Sequence, residues 1–160
     1  MAATDGNWFI EHSSPYEAHM HAVKQYIYLG DTTYQKVQIL DTFTFGRCLI
    51  LEGKIQSSEF DEYIYHEALV HPSMISHPNP RKVMVIGGAE GAVLRELMKH
   101  PSLEKMVMVD IDESVVNLCR EYLPDWHQGC FDDERLEVVF ADARKYLEEC
   151  NMTFDVILSD

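Results

Sequence analysis

The sequence predicts an α/β protein in which a small antiparallel β subdomain precedes a doubly wound parallel sheet. Residues 82–86 form an apolar run with β-branched side chains, a glycine-rich turn follows, and residues 92–100 suit a helix. Strand-like and helix-like segments then alternate up to residue 160, which is typical of a parallel sheet with right-handed crossovers. Before this core, residues 34–57 alternate polar and apolar side chains, as short antiparallel strands do.

The first part of the chain is predicted as a β subdomain with a linking helix. Residues 1–7 look like a disordered start, and residues 8–29 mix aromatic and polar side chains in a pattern compatible with partial helix. A helix with acidic residues in its first turn follows from Asp61 and is expected to end at Pro72. Short antiparallel strands are expected between these segments, at residues 34–40, 48–51 and 54–57.

The second part alternates strands and helices. After the strand at 82–86, we expect strands at residues 106–109, 136–140 and 154–160, helices at 92–100, 113–123 and 144–150, and a loop at 124–134. We therefore divide the chain into two domains. Residues 1–76 hold the N-terminal segment, the β subdomain and the linking helix, and residues 77–160 form a Rossmann-like nucleoside-binding core.

Composition excludes several classes of protein. With 160 residues, of which 46% are hydrophobic, the chain can bury a real core. Its net charge of −14 argues against nucleic-acid binding and would suit cationic small molecules, although solubility alone also explains acidity. No apolar run approaches the roughly 18 residues of a membrane span, and no signal pattern opens the chain. The four cysteines lack C-x-x-C spacing, so we expect a cytoplasmic protein without a metal site or a disulfide framework.

The glycine-rich turn after the first core strand predicts a nucleoside site. Glycine allows a tight turn and lets a ligand lie against the backbone at a helix N-terminus. Gly87 is followed 23 residues later by Asp110, where an acidic residue binds ribose hydroxyls in doubly wound sheets. An ordinary glycine turn is the alternative. Ala89 and Ala92 stand where a dinucleotide fingerprint has glycine, and Glu90 would repel phosphates, so an adenosyl sulfonium is the favoured ligand.

Carboxylates follow three of the four predicted core strands, namely Asp110, Asp142 and Asp160. The carboxyl edge of an open α/β sheet is where ligands bind. Helix N-capping by Asp142 and strand-end solubility of Asp160 are the competing explanations. The coincidence of all three favours a binding site.

The helix that follows Asp61 carries His66, Glu67 and His71, which resemble the paired histidines of zinc proteases at first sight. Five residues at about 100° each place His71 roughly 140° around the helix from His66. The metal motif needs four residues and one shared face. We therefore predict no zinc site from this pair.

Five segments carry a resemblance to a known family. They are Gly53-Lys54-Ile55-Gln56, residues 61–67 (Asp-Glu-Tyr-Ile-Tyr-His-Glu), His77-Pro78-Asn79-Pro80, residues 87–96 with their glycines and Arg95-Glu96, and Ile157-Leu158-Ser159-Asp160. These segments, in this order along the chain, resemble those of the polyamine aminopropyltransferases, that is, spermidine synthase and its relatives. The resemblance implies a sheet of the type found in S-adenosylmethionine-dependent methyltransferases. It also implies transfer of the aminopropyl group of decarboxylated S-adenosylmethionine to putrescine or a related amine, with release of methylthioadenosine.

The resemblance also implies a role for each matching residue. Gln35, Asp110, Asp142 and Ala143 would line the methylthioadenosine half of the site, Glu90 would face the aminopropyl ammonium, Gln56, Tyr65 and His66 would approach the polyamine, and Asp160 would be the catalytic proton acceptor. Decarboxylated S-adenosylmethionine would act as a co-substrate, without a permanently bound cofactor. The expected partners are the polyamine and the adenosyl sulfonium, not nucleic acid or a membrane, and the full-length protein is expected to form a homodimer or homotetramer.

Two departures from the family keep alternatives open. The turn reads Gly-Gly-Ala-Glu-Gly-Ala where spermidine synthases mostly have Gly-Gly-Gly-Asp-Gly-Gly. The glutamate form resembles thermospermine synthases and the bacterial enzymes that use agmatine or triamines such as spermidine. The family continues beyond the position of Asp160, so we expect the core to be truncated after its fourth strand and the 160-residue chain to be inactive alone. A non-catalytic nucleoside-binding fragment is the alternative. A methyltransferase is disfavoured by the Tyr65-His66-Glu67 helix and by the β subdomain.

Overall fold

The computed structural model describes residues 6–160, which form two compact units that meet in sequence between Glu62 and Tyr63. The sequence predicts a disordered start at residues 1–7. Residues 1–5 of this segment lie outside the described part of the chain. The domain boundary predicted from the sequence, after residue 76, lies 14 residues beyond the division between these two units. The linking helix, which the sequence analysis assigned to the first domain, therefore belongs almost entirely to the second unit.

The first unit is an antiparallel sheet. Its strands are β1 (Trp8–Ser14), β2 (Glu17–Asp31), β3 (Lys36–Thr42), β4 (Gly46–Leu51) and β5 (Lys54–Ser58), and they pair in chain order. The predicted β subdomain is thereby confirmed. Val23, Leu40, Cys48 and Ile50 form one buried cluster in this unit.

The expectation of partial helix within residues 8–29 is wrong, because this segment forms the β1–β2 hairpin. Trp8 lies opposite Ala22 and Ile10 lies opposite Met20 in its register. Side chains of a strand alternate between two faces, and Phe9 accordingly packs on the core while its neighbours are exposed. Pairing across the hairpin, which involves residues distant in sequence, determines this conformation.

The second unit has a parallel four-stranded sheet with helices between its strands. The strands are β6 (Lys82–Ile86), β7 (Lys105–Asp110), β8 (Leu136–Phe140) and β9 (Val156–Ser159), in the order β8-β7-β6-β9. The helices are α1 (Glu62–Ser76), α2 (Ala92–Met98), α3 (Glu113–Tyr122), α4 (Pro124–His127) and α5 (Ala143–Glu149). The predicted Rossmann-like alternation is confirmed. Central strand residues such as Met84, Val107 and Val109 form its apolar core.

Two helical segments differ from the predictions. Helix α1 continues through Pro72 to Ser76, because His66, Val70 and Met74 form one buried face that outweighs the single N–H missing at the proline. The predicted loop at 124–134 contains α4 and a 3₁₀ turn at Cys130–Asp132, and buried Trp126 anchors it. None of the helices in residues 6–160 is long and apolar enough to cross a membrane.

Candidate active site

The glycine turn after β6 brings the backbone against the end of β9. Gly87 and Gly88 both have positive φ angles, of 79° and 78°, which side chains disfavour. A Cβ atom on Gly88 would lie 3.3 Å from Oδ2 of Asp160. The N–H of Asp160 donates to the carbonyl of Ile86, and this bond fixes Asp160 at the same edge. Glycine therefore leaves the space in which the Asp160 carboxylate lies.

A cavity of about 290 Å³ opens at this carboxyl edge. Four residues singled out from the sequence line it together, namely Asp110, Asp142, Ala143 and Asp160. Gly87 lies at the turn, and apolar side chains that include Ile86 and Ile111 complete the lining. The cavity thus combines apolar walls with carboxylates, as a site for a nucleoside with polar hydroxyls requires.

Two of these carboxylates also serve the local backbone. Oδ1 of Asp110 accepts a hydrogen bond from the N–H of Asp112 at 2.8 Å, and burial raises the pKa of Asp110. Oδ1 of Asp142 accepts from the N–H of Lys145 at 2.9 Å and caps helix α5. The capping explanation considered for Asp142 therefore holds in the structure. It engages one carboxylate oxygen and leaves the second for a ligand.

A second group of side chains adjoins Asp160, and we call His66, Glu90 and Asp160 the His66 cluster. Nε2 of His66 is 3.3 Å from Oε1 of Glu90, and both residues are buried. One donor atom from each of the three residues lies within 4.8 Å of the others. The ring of Tyr65 packs edge-on against His66, and its hydroxyl is hydrogen bonded to Asp160.

The His66 cluster carries an excess of negative charge. Asp160 is exposed as a whole residue, but its carboxylate is enclosed, and this desolvation together with nearby Glu90 raises its pKa. Asp110 adds to this effect. Burial, and then the contact with Asp160, raises the pKa of Tyr65 to about 12, so its hydroxyl stays protonated near pH 7. Several carboxylates thus share one histidine, an arrangement that favours a cationic ligand.

Gln35 and Gln56 belong to the first unit. The N–H of Gln35 donates to Oγ1 of Thr32, and its carbonyl accepts from the N–H of Thr32, which closes the turn between β2 and β3. Gln56 is exposed in β5 and contacts the carbonyl of Lys54 through Nε2 at 3.4 Å. Their predicted contacts with substrates stay predictions.

Comparison with protein families matches both units. Residues 62–160 match the spermine/spermidine synthase domain, and residues 7–59 match the spermidine synthase tetramerisation domain. The chain belongs to the spermine/spermidine synthase family. The family recognised from sequence motifs is thereby confirmed.

Curated relatives of this family resemble the chain closely. A polyamine aminopropyltransferase of Aeropyrum pernix is 50% identical over 155 residues, which cover 96% of this chain and 49% of the relative. Polyamine aminopropyltransferase 1 of Hyperthermus butylicus is 53% identical over 144 residues, which cover 88% of this chain and 49% of the relative. Polyamine aminopropyltransferase 2 of Pseudomonas aeruginosa is 48% identical over 151 residues, which cover 94% of this chain and 43% of the relative. The chain spans about half the length of these relatives.

Solved structures of the family share the fold. Spermidine synthase from Thermotoga maritima superposes with a TM-score of 0.92 at 35% identity, covering 97% of this chain and 54% of that one. A spermidine synthase in complex with the transition-state analogue AdoDATO superposes with a TM-score of 0.93 at 36% identity, covering 98% and 55%. These comparisons confirm the fold class.

Sequence reasoning missed a second cluster in this spermine/spermidine synthase domain. We call Glu67, His71 and Glu96 the His71 cluster, because one donor atom from each lies within 4.8 Å of the others. His71 contacts Glu96, whereas His66 contacts Glu90. The signal that could have found this cluster is the four-residue spacing of a glutamate and a histidine, which occurs at Glu67–His71 and again at Glu96–His100.

Proposed function

We propose that the protein is an aminopropyltransferase of the spermidine synthase type. It would transfer the aminopropyl group of decarboxylated S-adenosylmethionine to putrescine or a related amine, giving a spermidine-type polyamine and methylthioadenosine. The observation that carries this proposal is the concentration of Glu90, Asp110 and Asp160 at one sheet edge with a single histidine beside them. Both substrates are cations, so their charges balance these carboxylates.

Binding of the donor uses the cavity lined by Asp110, Asp142 and Ala143. Asp110 would accept hydrogen bonds from the ribose hydroxyls, and the free oxygen of Asp142 would accept one from the adenine amino group. Glu90 would pair with the ammonium of the aminopropyl group. Positive φ angles at Gly87 and Gly88 keep the turn free of side chains, so the sulfonium can lie against the backbone.

In the transfer step, the lone pair of the acceptor amine attacks the carbon next to the sulfonium, a carbon–nitrogen bond forms and the carbon–sulfur bond breaks. The electron pair of that bond stays on sulfur, and neutral methylthioadenosine leaves. The nitrogen loses one proton, for which Asp160 is the proposed acceptor. Because its pKa is raised, Asp160 is a stronger base than an ordinary aspartate. The Tyr65 hydroxyl would orient the Asp160 carboxylate, and His66 would orient Glu90.

Three further assignments accompany this proposal. Gln35 would contact the nucleoside and Gln56 the polyamine. The match of residues 7–59 to a tetramerisation domain supports a homo-oligomer. Decarboxylated S-adenosylmethionine would be consumed in the reaction, without a permanently bound cofactor, and the protein would act in the cytoplasm.

Product analysis tests the proposed activity. The full-length protein, to which this proposal applies, is purified and incubated with decarboxylated S-adenosylmethionine and with putrescine, agmatine or spermidine in separate reactions. We expect methylthioadenosine to be released together with one polyamine, and the fastest acceptor identifies the reaction. The glutamate at position 90 supports agmatine and spermidine as alternatives to putrescine, since the family's spermidine synthases mostly have aspartate there.

Two controls make the result decisive. S-adenosylmethionine replaces the decarboxylated donor in one of them, and Asp160→Asn replaces the native protein in the other. Calorimetric titration with methylthioadenosine separates binding from turnover. Binding without release of methylthioadenosine from the donor would support the non-catalytic nucleoside-binding alternative and contradict the proposed transferase.

A further inference from the structure

The His71 cluster takes no part in the proposed transfer, yet it combines side chains that bind divalent transition metals. Glu67 and His71 are four residues apart on α1, so both lie on one helix face. Glu96 lies in α2, and His100 follows the end of this helix. His71 contacts both Glu96 and His100.

The donor atoms are spaced as ligands of one ion would be. One atom each from Glu67, His71 and Glu96 lies within 4.8 Å of the others, and Nε2 of His71 is 3.1 Å from Oε2 of Glu96. Ligands of a tetrahedral Zn²⁺ ion at about 2.0–2.1 Å are separated by about 3.3 Å. Small side-chain movements would therefore complete the coordination.

Oε2 of Glu96, the proposed ligand atom, already contacts the ammonium of Lys99. The side chain of Glu96 is 1% exposed, and Oε2 also lies 3.1 Å from Nε2 of His71. The ammonium of Lys99 lies 2.6 Å from this oxygen, while Nε of Arg95 donates to Oε1 at 2.8 Å. The side chain of Lys99 is 52% exposed, so its ammonium can move into water when another cation takes its place.

His100 contacts the second ring nitrogen of His71. Nδ1 of His71 is 2.9 Å from Nε2 of His100. In a metal-bound form, Nε2 of His71 would ligate the ion and the Nδ1–H of His71 would donate to His100. Histidine ligands commonly donate their second N–H to such a partner.

We propose that Glu67, His71 and Glu96 form a Zn²⁺ site in which His100 orients His71 and Lys99 competes with the ion for Glu96. Glu67 is exposed, and water would fill the remaining coordination position. The ion would join α1 to α2. We expected no metal site because cysteine spacing and the His66–His71 pair gave no sign of one, and because Glu67 and Glu96 are distant in sequence.

Competition with a chromophoric chelator measures the zinc dissociation constant of the purified protein at pH 7. We expect His71→Ala to weaken zinc binding by about 100-fold or more, and His100→Ala by about 10- to 100-fold, the usual effect of losing an orienting partner. Lys99→Met should tighten binding by about tenfold, because a competing charge is removed. His77→Ala, in the same unit but outside the cluster, is the matched control and should change nothing.

Glu67→Gln is the second ligand variant, because this exposed side chain can be changed without disturbing the buried contacts of His71. Thermal unfolding without zinc verifies that each variant is folded. Unchanged zinc affinity in both Glu67→Gln and His71→Ala would overturn the proposal, as would an equal loss in His77→Ala. Weaker binding by Lys99→Met would also contradict it, because the lysine would then support the ion.

Discussion

Helix α1 contributes a histidine to each of two clusters that use the same residue types but balance their charges differently. In the His66 cluster, Glu90 and Asp160 share one histidine, and Asp110 adds further negative charge. In the His71 cluster, Glu96 contacts both Lys99 and Arg95. In the described residues, the His66 cluster therefore sets one histidine against two carboxylates, whereas Glu96 of the His71 cluster contacts a lysine and an arginine.

The pKa values of the carboxyl groups reflect this difference. Burial and neighbouring carboxylates raise the pKa of Asp160 and that of Asp110. Burial also acts to raise the pKa of Glu96, but hydrogen bonds from Lys99 and Arg95 bring it below its ordinary value. The raised pKa values in the His66 cluster favour a cationic ligand, whereas the lysine and the arginine beside Glu96 balance its charge. Substitutions in the two clusters should accordingly have different consequences.

The largest expected effect is on turnover in the His66 cluster. Asp160→Asn should lower kcat by about 10² to 10⁴, because the acceptor amine loses both its orienting carboxylate and its proton acceptor. Steady-state kinetics with the decarboxylated donor measures the change, and calorimetry should find methylthioadenosine affinity nearly unaltered. A variant that keeps most of its turnover would remove Asp160 from the mechanism.

Nucleoside affinity should depend on Asp110. Asp110→Asn retains an oxygen for the Asp112 N–H but removes the charge that would strengthen the two proposed hydrogen bonds to ribose. Hydrogen bonds to charged groups contribute about 1.5 to 3 kcal/mol each, so affinity for methylthioadenosine should fall by about 100-fold. Calorimetric titration measures the affinity. Glu137→Gln, an exposed carboxylate in β8, serves as the control, and an equal effect there would contradict a specific contact.

In the His71 cluster the expected effect is on stability. Glu96→Gln should lower the free energy of unfolding by about 2 kcal/mol at pH 7, because two cations lose a buried partner. The pKa of Glu96 is depressed in the folded state, so this contribution is present above the ordinary glutamate pKa and lost as pH falls through the folded value. In denaturant titrations at several pH values, the free energies of unfolding of the native protein and of Glu96→Gln should become equal at acidic pH. A difference independent of pH would point to packing alone.

Asp160→Asn should change stability in the opposite direction. The raised pKa of Asp160 means that its ionisation opposes folding once the pH exceeds the unfolded-state pKa. At pH 7 the asparagine variant should therefore be more stable than the native protein, by a margin that disappears in acid. This gain in stability with loss of activity is common at functional sites.

The sequence predicts local features of this fold better than contacts between distant segments. Strand β7 and the position of Asp110 follow from a short apolar run that ends in a carboxylate, together with the rule that such ends share one sheet edge. The hairpin at residues 8–29 was not predicted, because cross-strand packing determines it. The contact of His66 with Glu90 likewise joins residues 24 positions apart, and local sequence periodicity does not predict such a contact.

The smallest expected effect is on donor choice, and it depends on Glu90. S-adenosylmethionine differs from the decarboxylated donor by one carboxylate, next to the ammonium that Glu90 would face. A like-charge contact at about 4 Å costs about 1 kcal/mol in water and about 4 kcal/mol at an effective dielectric constant of about 20.

His66 lies 3.3 Å from Glu90 and, as its hydrogen-bond partner, weakens the repulsion that Glu90 exerts on a second carboxylate. We therefore expect a cost near the lower end of the range of about 1 to 4 kcal/mol, which corresponds to about a tenfold preference for the decarboxylated donor. Glu90→Gln should weaken binding of the decarboxylated donor, whose ammonium loses its partner, and narrow the gap to S-adenosylmethionine. Dissociation constants for both donors, measured on the native protein and on the variant, provide the ratio. If that ratio is the same in both proteins, Glu90 does not select the donor, and its charge serves only to hold His66.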